Sequence, residues 1–342
     1  MMQVDPVTHL VVNTGIYTAV SDKGLSLDNP ELLVASVGAL IPDGDAIFQI
    51  FGHIPYLKNH RGVSHSILGG LFLSALTAMI FSFIFAHSFF ILWAYGMLGV
   101  STHLFLDWCN SYGVKLFWPL SSKMYSGNLL VVIEPILVAL SLIMIFSFSY
   151  SYAIDFSGYT GHAAYPGYVI YSNLGWIALG LMAVYLFARY ISRVNFTRYL
   201  KANFSAGDLQ RLVVLPASTS LFHWDFIAET SHSVYIGQAP IFRRVFWIKE
   251  KLSKKIEKEM DKLFVNKALN SKIGKLFREF TPYYLVKHKR TPDDKHLVIF
   301  IDLRYHMGKR FLHQASVRFK KQGSMEEALF HPYHPERKIP VD

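Results

Sequence analysis

The sequence predicts a mainly α-helical, polytopic membrane domain followed by a C-terminal cytoplasmic α+β domain. Two observations predict this layout: the hydropathy of the chain and the distribution of its charge. The 342 residues are 52% hydrophobic. Residues 1–188 carry 5 Lys/Arg and 9 Asp/Glu, whereas residues 189–342 carry 29 and 15. An apolar half with few charges before a basic half indicates a membrane domain over 1–192 and a basic soluble domain over 193–342.

Four stretches are long and apolar enough to cross a bilayer, which takes about 20 helical residues. They run near 63–86, 88–107, 129–150 and 169–191. The first contains no Lys, Arg, Asp or Glu, which favours a membrane span over a buried globular helix. Two shorter apolar runs lie upstream, at 9–20 and 31–41. They could form a hairpin that dips into the membrane, or amphipathic helices packed on it.

Basic residues predict the orientation of the spans, because loops rich in Lys and Arg stay in the cytoplasm. The stretch after the last span begins with Arg193 and leads into the basic tail, so the C-terminus is expected to be cytoplasmic. The 151–168 loop has no Lys or Arg and is expected outside. Counting back places the 108–128 loop inside. The expected location is therefore the inner, or plasma, membrane.

The tail contains signals for both strands and helix. The strand-like runs are 212–215, 223–229, 233–239, 296–305 and 311–319. Residues 249–264 are predicted to be helical, because Leu252, Ile256, Met260 and Leu263 recur at a spacing of three to four. The tail histidines, His296 among them, show no ligand spacing and are expected to be solvated or hydrogen-bonded.

Chain-distant histidines and aspartates flank the predicted spans on the side expected to be cytoplasmic. If the two short runs form a hairpin, all of these residues reach a common depth. Neutral imidazole and carboxylate bind borderline and hard divalent ions, so the pattern predicts a metal site. Cys109 is the only cysteine, which excludes a thiolate cluster. The candidate ligands are His9, Asp43, Asp45, His60, His65, His103 and Asp107.

Several of these motifs have ordinary explanations when taken alone. His103 and Asp107 are four residues apart on one helix face, which suits a metal ion or a simple hydrogen bond equally. Asp43-Gly44-Asp45 is also typical of a solvated turn or a helix N-cap. Glu134, predicted to lie about one turn inside a span, could be a ligand, an acceptor for a ligand histidine, or an ion-pair partner of a nearby lysine.

The segment His60-Arg61-Gly62-Val63-Ser64-His65-Ser66 is harder to explain without a function. Snorkelling of a long side chain to the interface accounts for Arg61 at the mouth of a span, but not for His65. The segment therefore carries most weight in the prediction of a site.

Together these motifs resemble the YdjM/YfhP-type family of inner-membrane metal-dependent hydrolases over about residues 5–125. The residues that carry the resemblance are His9, Pro42-Asp43-Gly44-Asp45, the segment 60–66, His103, Asp107, Gly113 and Trp118-Pro119. That family is itself similar to the zinc-dependent phospholipase C and P1 nuclease group. The resemblance implies a helical site for one to three ions, with zinc expected, that hydrolyses a phosphoester. The His-x-x-x-Glu ligand pair of the phospholipase group has no counterpart in the matching region.

The resulting hypothesis is a membrane-bound, metal-dependent hydrolase of a lipid or lipid-linked phosphoester at the cytoplasmic face. Arg61 would neutralise phosphate charge, because a guanidinium matches two phosphate oxygens. Asp45 would act as general base. The alternative is a membrane-anchored regulatory or binding protein whose metal site is structural or sensory. Membrane lipid is the expected partner; nucleic acid is not, because no recognition motif accompanies the basic tail.

Overall fold

The computed structural model describes residues 6–156, 166–204, 208–218, 220–255, 259–307, 310–332, 336 and 338–341. The chain forms two compact units. The first, called the membrane unit below, comprises the chain up to Ile47 together with Asn59–Ile191. The second, called the tail unit, comprises Phe48–Lys58 together with Ser192–Asp342.

Seven helices precede the first strand of the described chain. They are α1 (Pro6–Val20), α2 (Pro30–Leu40), α3 (His53–Asn59), α4 (Ile67–Phe85), α5 (Phe89–Cys109), α6 (Pro135–Phe156) and α7 (Pro166–Asn203). A 3-10 segment, Ile41–Phe51, continues α2, and a 3-10 turn, Val63–His65, precedes α4. Ser66 starts α4 because its hydroxyl accepts a hydrogen bond from the backbone N–H of Gly69 at 3.0 Å.

Among the described residues, four helical stretches are long and apolar enough to cross a membrane: Pro30–Phe51, Ile67–Phe85, Phe89–Cys109 and Asn173–Asn203. Three of them overlap the spans predicted at 63–86, 88–107 and 169–191, and the upstream run at 31–41 belongs to the fourth. The span predicted at 129–150 corresponds to a shorter apolar stretch, Pro135–Tyr150. The orientation deduced from the loops stays a prediction, and residues 157–165 of the expected outer loop lie outside the described residues.

The predicted start of the span at 129–150 was wrong, because the helix begins only at Pro135. The backbone N–H groups of Leu129 and Leu130 both donate to the carbonyl of Cys109, at 2.8 and 3.1 Å, which holds them in extended contact with the end of α5. Glu134 therefore precedes the helix instead of lying a turn inside it. Its carboxylate accepts a hydrogen bond from Tyr185 Oη at 2.6 Å.

Small residues let α2 and α5 pack at close range. A Cβ atom built on Gly38 would lie 2.6 Å from the carbonyl oxygen of Gly96, so no larger residue fits there without a shift. A Cβ on Gly99 would collide with the carbonyl oxygen of Ala35. This close approach brings the 3-10 segment after α2 next to the last turns of α5.

Among the described residues, the tail unit contains two larger antiparallel sheets, one two-stranded sheet and two helices after α7. The four-stranded sheet has the order β1 (Leu209–Pro216), β2 (His223–Thr230), β3 (Ser233–Pro240) and β4 (Trp247–Ser253). The strands that follow are β5 (Tyr284–Arg290), β6 (His296–Asp302), β7 (His306–Met307), β8 (Arg310–Phe311), β9 (His313–Phe319), β10 (Met325–Pro332) and β11 (Ile339–Pro340). The five-stranded sheet has the order β11-β10-β9-β6-β5, and β7 pairs with β8. The helices are α8 (Glu259–Asn270) and α9 (Lys272–Phe280).

The apolar faces of these elements stack in layers. Phe264 and Phe277 of α8 and α9 pack against Phe300 on one face of the five-stranded sheet. The other face of that sheet packs against the four-stranded sheet. The far side of the four-stranded sheet buries Trp224 against Leu200 at the end of α7. The predicted fold class, a helical membrane domain before a domain of strands and helices, is confirmed.

The prediction of a helix over 249–264 was wrong for residues 249–253 and correct from Glu259 onward. Residues up to Ser253 form strand β4, which pairs with β3, and α8 begins only at Glu259. Sheet pairing buries Leu252 between the two sheets, and this tertiary contact outweighs the local helical pattern. The buried face of α8 also differs from the predicted stripe, because Leu263 is 54% exposed while Phe264 is buried.

Candidate metal centre

Five of the seven predicted ligands come together inside the membrane unit. They arrive from α1, the 3-10 segment after α2, the turn before α4, and α5. They form two overlapping groups, in each of which the donor atoms lie within 4.8 Å of one another: His65, His103 and Asp107; and His9, Asp43 and His103.

The first group, His65, His103 and Asp107, has separations that suit one ion. His103 Nε2 lies 3.2 Å from His65 Nε2, and Asp107 Oδ2 lies 3.3 Å from His65 Nε2 and 3.8 Å from His103 Nε2. Tetrahedral zinc, with bonds of about 2.0–2.1 Å to nitrogen, holds neighbouring ligand atoms roughly 3.3 Å apart. The four-residue spacing on α5 places His103 and Asp107 on one face, as expected.

The second group adds His9 and Asp43. Asp43 Oδ1 lies 3.8 Å from His103 Nε2 and 3.4 Å from His65 Nε2. The His9 ring stacks on His103 with centroids 3.9 Å apart. His9 is 1% exposed, and neither ring nitrogen has a hydrogen-bond partner among the described residues. Its Nε2 lies 3.7 Å from Asp107 Oδ1, too far for a hydrogen bond. Because burial of polar atoms without a hydrogen bond is unfavourable, an ion coordinated by His9 fits the structure.

A hydrogen bond to a backbone carbonyl fixes the tautomer of His103. Its Nδ1 lies 2.7 Å from the carbonyl oxygen of Ala39, which can only accept, so Nδ1 carries the proton. Nε2 then carries no proton, and its lone pair points toward the cluster. This arrangement, in which a backbone carbonyl orients a histidine, is common behind metal ligands.

Asp45 and His60 lie beside the two groups but belong to neither. Asp45 Oδ1 lies 2.7 Å from His60 Nδ1, and Oδ2 accepts from the backbone N–H of Arg61 at 2.9 Å and from Ser64 Oγ at 3.1 Å. Asp45 Oδ2 also lies 3.3 Å from His65 Nδ1. Burial lowers the pKa of His60 against the opposing effect of Asp45. Asp45 therefore contacts His60 and His65 through their Nδ1 atoms and orients both rings. The roles predicted for Asp45 and His60 as ligands stay predictions.

Arg61 is buried beside the cluster with unused hydrogen-bond donors. Its φ of 56° lies in the left-handed region, which costs a residue with a Cβ about 1–2 kcal/mol. This backbone lets its N–H reach Asp45 while its Nη2 donates to Asp107 Oδ1 at 2.6 Å. The guanidinium also lies over the Tyr112 ring, 5.4 Å from its centroid. Arg61 Nε and Nη1 have no hydrogen-bond partner among the described residues.

The charge of the cluster also favours a cation. The carboxylates of Asp43, Asp45 and Asp107 have at most 12% of their side-chain surface exposed, and the Arg61 side chain has 2%. Three buried carboxylates facing one guanidinium need further positive charge, since unpaired buried charges are strongly unfavourable. Without an ion, His65 supplies part of it, because burial is outweighed by its contacts with the three carboxylates, which raise its pKa to about 10. The donor set therefore fits one or two divalent ions.

Comparison with known proteins agrees with the fold. The YdjM inner membrane protein family matches residues 4–196, and the YfhP C-terminal alpha/beta plait domain matches residues 263–340. A relative from Bacillus subtilis (strain 168), described as "Uncharacterized protein YfhP", is 26% identical over 275 residues. That alignment covers 80% of this chain and 77% of the relative. No solved structure matches significantly.

The fold and cluster define an integral membrane protein with a buried His/Asp site in its helical part. The chain belongs to the YdjM inner membrane protein family, since that family covers more than half of its length. The resemblance seen in the motifs is therefore confirmed, and so is a C-terminal domain of the YfhP type.

Proposed function

We propose that this protein is a membrane-bound, metal-dependent hydrolase of a phosphoester, carried by a lipid or a lipid-linked substrate at the cytoplasmic face. The observation that carries the proposal is Arg61, a buried cation with two unpartnered N–H donors beside a cluster of metal-type ligands. A phosphate group bound next to a metal ion supplies the acceptors that such donors require.

Each group of the cluster has a distinct task in this proposal. The residues that would hold the ions are His9, Asp43, His65, His103 and Asp107. A bound divalent ion supplies a Lewis acid for the phosphoryl oxygen and lowers the pKa of a coordinated water. Arg61 donates to a phosphate oxygen through Nε or Nη1, which lie on different edges of the guanidinium, and Asp107 fixes the guanidinium through Nη2. Ser64 and the N–H of Arg61 orient Asp45, the proposed base, next to His60 and His65.

Exposed apolar side chains in the segment after Arg61, and in the segment hydrogen-bonded to it, support a lipid substrate. Val63, Ile67, Phe117 and Leu120 are all at least 46% exposed. Backbone hydrogen bonds join the two segments that carry them, including one from the N–H of Lys115 to the carbonyl of Arg61. An apolar rim next to a phosphate-binding arginine suits a molecule with acyl chains and a phosphate head group.

The test begins with metal content of the full-length, detergent-purified protein after reconstitution with zinc and, separately, manganese. We compare the wild type with His65→Ala/Asp107→Ala and with a control, His87→Ala, whose ring pairs with Glu31 at 3.5 Å instead. We expect the wild type and control to retain metal at this site and the double variant to lose it. Equal metal in all three proteins would overturn the site.

Turnover then separates the two functional classes. Wild-type protein is given bis-p-nitrophenyl phosphate, phosphatidic acid and phosphatidylglycerol in mixed micelles. Hydrolysis that the double variant lacks supports the enzyme. Metal binding without hydrolysis of these or other phosphoesters favours the alternative, a membrane-anchored regulatory protein with a structural or sensory ion.

A further inference from the structure

The tail unit holds a second cluster of metal-type side chains, which is independent of the membrane cluster. We infer that Asp261, His288 and His296 form a binding site for a zinc-class divalent cation. Of the described residues, these three make the one group of this kind outside the membrane unit. They come from α8, β5 and β6 and were not predicted as ligands from the sequence.

Strand register explains how they meet. β5 and β6 are antiparallel, with Arg290 opposite His296 and His288 opposite Val298. Residues two apart on a strand share a face, so His288 and His296 are diagonal neighbours on one side of the sheet. Helix α8 covers that side and contributes Asp261 from its first turn.

The separations suit coordination of one ion. His288 Nε2 lies 3.0 Å from His296 Nδ1. Asp261 Oδ1 lies 3.9 Å from His296 Nδ1, and Oδ2 lies 3.5 Å from His288 Nδ1. A histidine binds one ion through one nitrogen, so His288 offers either Nε2 or Nδ1. One donor atom from each of the three residues lies within 4.8 Å of the other two, compared with roughly 3.3 Å between neighbouring ligands of tetrahedral zinc. Three protein ligands leave a fourth position for water or another donor.

The cluster is buried and has an unsatisfied acceptor. All three side chains have at most 9% of their surface exposed. Asp261 Oδ1 has no hydrogen-bond partner among the described residues, although it faces His296. Phe264, one turn after Asp261, stacks on the His296 ring with centroids 3.6 Å apart and fixes its plane. A cation between these atoms would satisfy the Oδ1 atom of Asp261, whose ion-pair contacts in the protein are all longer than a hydrogen bond.

Arg290 is the competing cation. Its Nη2 lies 3.8 Å from Asp261 Oδ1, and its side chain is 42% exposed. A second carboxylate, Asp294, lies 3.9 Å from its Nη1. Arg290 can therefore turn toward Asp294 when an ion takes its place beside Asp261. Such an ion would tie α8 to β5 and β6, as structural zinc sites tie short elements together.

The experiment uses full-length protein in detergent that already carries His65→Ala/Asp107→Ala, so that the membrane cluster does not contribute. Bound zinc is counted by elemental analysis, and cobalt substitution is followed by visible absorption. We expect about one equivalent in this background, lost when His288→Ala/His296→Ala is added. His232→Ala, at an exposed histidine of the same unit, is the matched control and should keep the equivalent.

Two further variants test the site independently, in case the double alanine variant fails to fold. Asp261→Asn keeps the shape of the side chain and should weaken zinc binding at least tenfold. Arg290→Gln removes the competing cation and should tighten zinc binding about two- to fivefold, the range of a partly exposed ion pair. If the parent background binds no zinc or cobalt, or Arg290→Gln leaves the affinity unchanged, the cluster is a hydrogen-bonded network and the inference is wrong.

Discussion

Among the described residues, each unit contains a buried arginine–aspartate pair, and the two pairs are satisfied very differently. In the tail unit, Arg304 Nη2 donates to Asp302 Oδ2 at 2.8 Å and to the carbonyl of Phe280 at 3.2 Å, while Nε donates to both carboxylate oxygens. Thr281 Oγ1 also donates to Asp302. In the membrane unit, only Nη2 of Arg61 donates to its carboxylate, and Nε and Nη1 have no described acceptor.

The comparison distinguishes a structural pair from a binding site. A buried charge whose hydrogen bonds are completed by the protein stabilises the fold around it. A buried charge that keeps spare donors or acceptors indicates that something else completes the set. The Arg304–Asp302 pair belongs to the first kind. Arg61 belongs to the second.

Breaking the satisfied pair should give the largest effect on stability. Asp302→Ala leaves Arg304 as an uncompensated buried charge, and we expect a loss of about 3–5 kcal/mol in the free energy of unfolding. Denaturant unfolding of the purified protein, followed by tryptophan fluorescence, measures this loss. Asp293→Ala is the control, since its side chain is 57% exposed and its removal should change stability by less than about 0.5 kcal/mol. A loss as small as the control's would mean that the pair is not structural.

Removing the unsatisfied arginine should instead affect catalysis. Arg61→Gln takes away the guanidinium that the proposal assigns to phosphate, and we expect kcat/KM to fall about 10²–10³-fold. Arg304→Gln, at the satisfied pair, should lower stability but leave kcat/KM of the folded protein within a factor of three or so. Steady-state kinetics on whichever of the test phosphoesters the wild type hydrolyses measure both. Equal losses in the two variants would remove the distinction between the pairs.

The carboxylate behind the cluster should have a smaller effect. Asp45→Asn keeps the shape but weakens the hold on His60 and His65, and we expect metal affinity to fall about 10–100-fold. Competition with a chromogenic chelator gives the dissociation constants. Asp28→Asn, at an exposed position of the same unit, should leave them unchanged. An effect above that range would favour Asp45 as a direct ligand.

The pH dependence of stability also involves the satisfied pair. Burial lowers the pKa of His313 to about 4, with Asp302 opposing and Arg304 reinforcing the shift. The unfolded state therefore binds more protons below pH 6.5, and stability of the tail unit should fall as pH drops from 6.5 to 4. One group contributes a slope of at most about 1.4 kcal/mol per pH unit. Unfolding of His313→Gln across this range should show a shallower slope by that amount; an identical slope would contradict the prediction.

Local pattern predicted those parts of the molecule whose signal lies within a short window. The long apolar helices follow from hydropathy, and the placement of His103 and Asp107 on one face follows from their four-residue spacing. Strands β2 and β3 coincide closely with the runs at 223–229 and 233–239. The helix predicted over 249–264 failed because pairing of Leu252 with β3 lies outside any local window.

The sequence alone thus determined a helical membrane protein of this family, a mixed α/β tail, and the histidines and aspartates that gather beside α5. Only the tertiary structure decided which of their atoms face each other and which are already satisfied. Spacing does not show that Asp45 orients His60, or that Arg61 keeps two donors spare. Nor does it bring together Asp261, His288 and His296, which meet because antiparallel pairing and helix packing join residues that are distant in the chain.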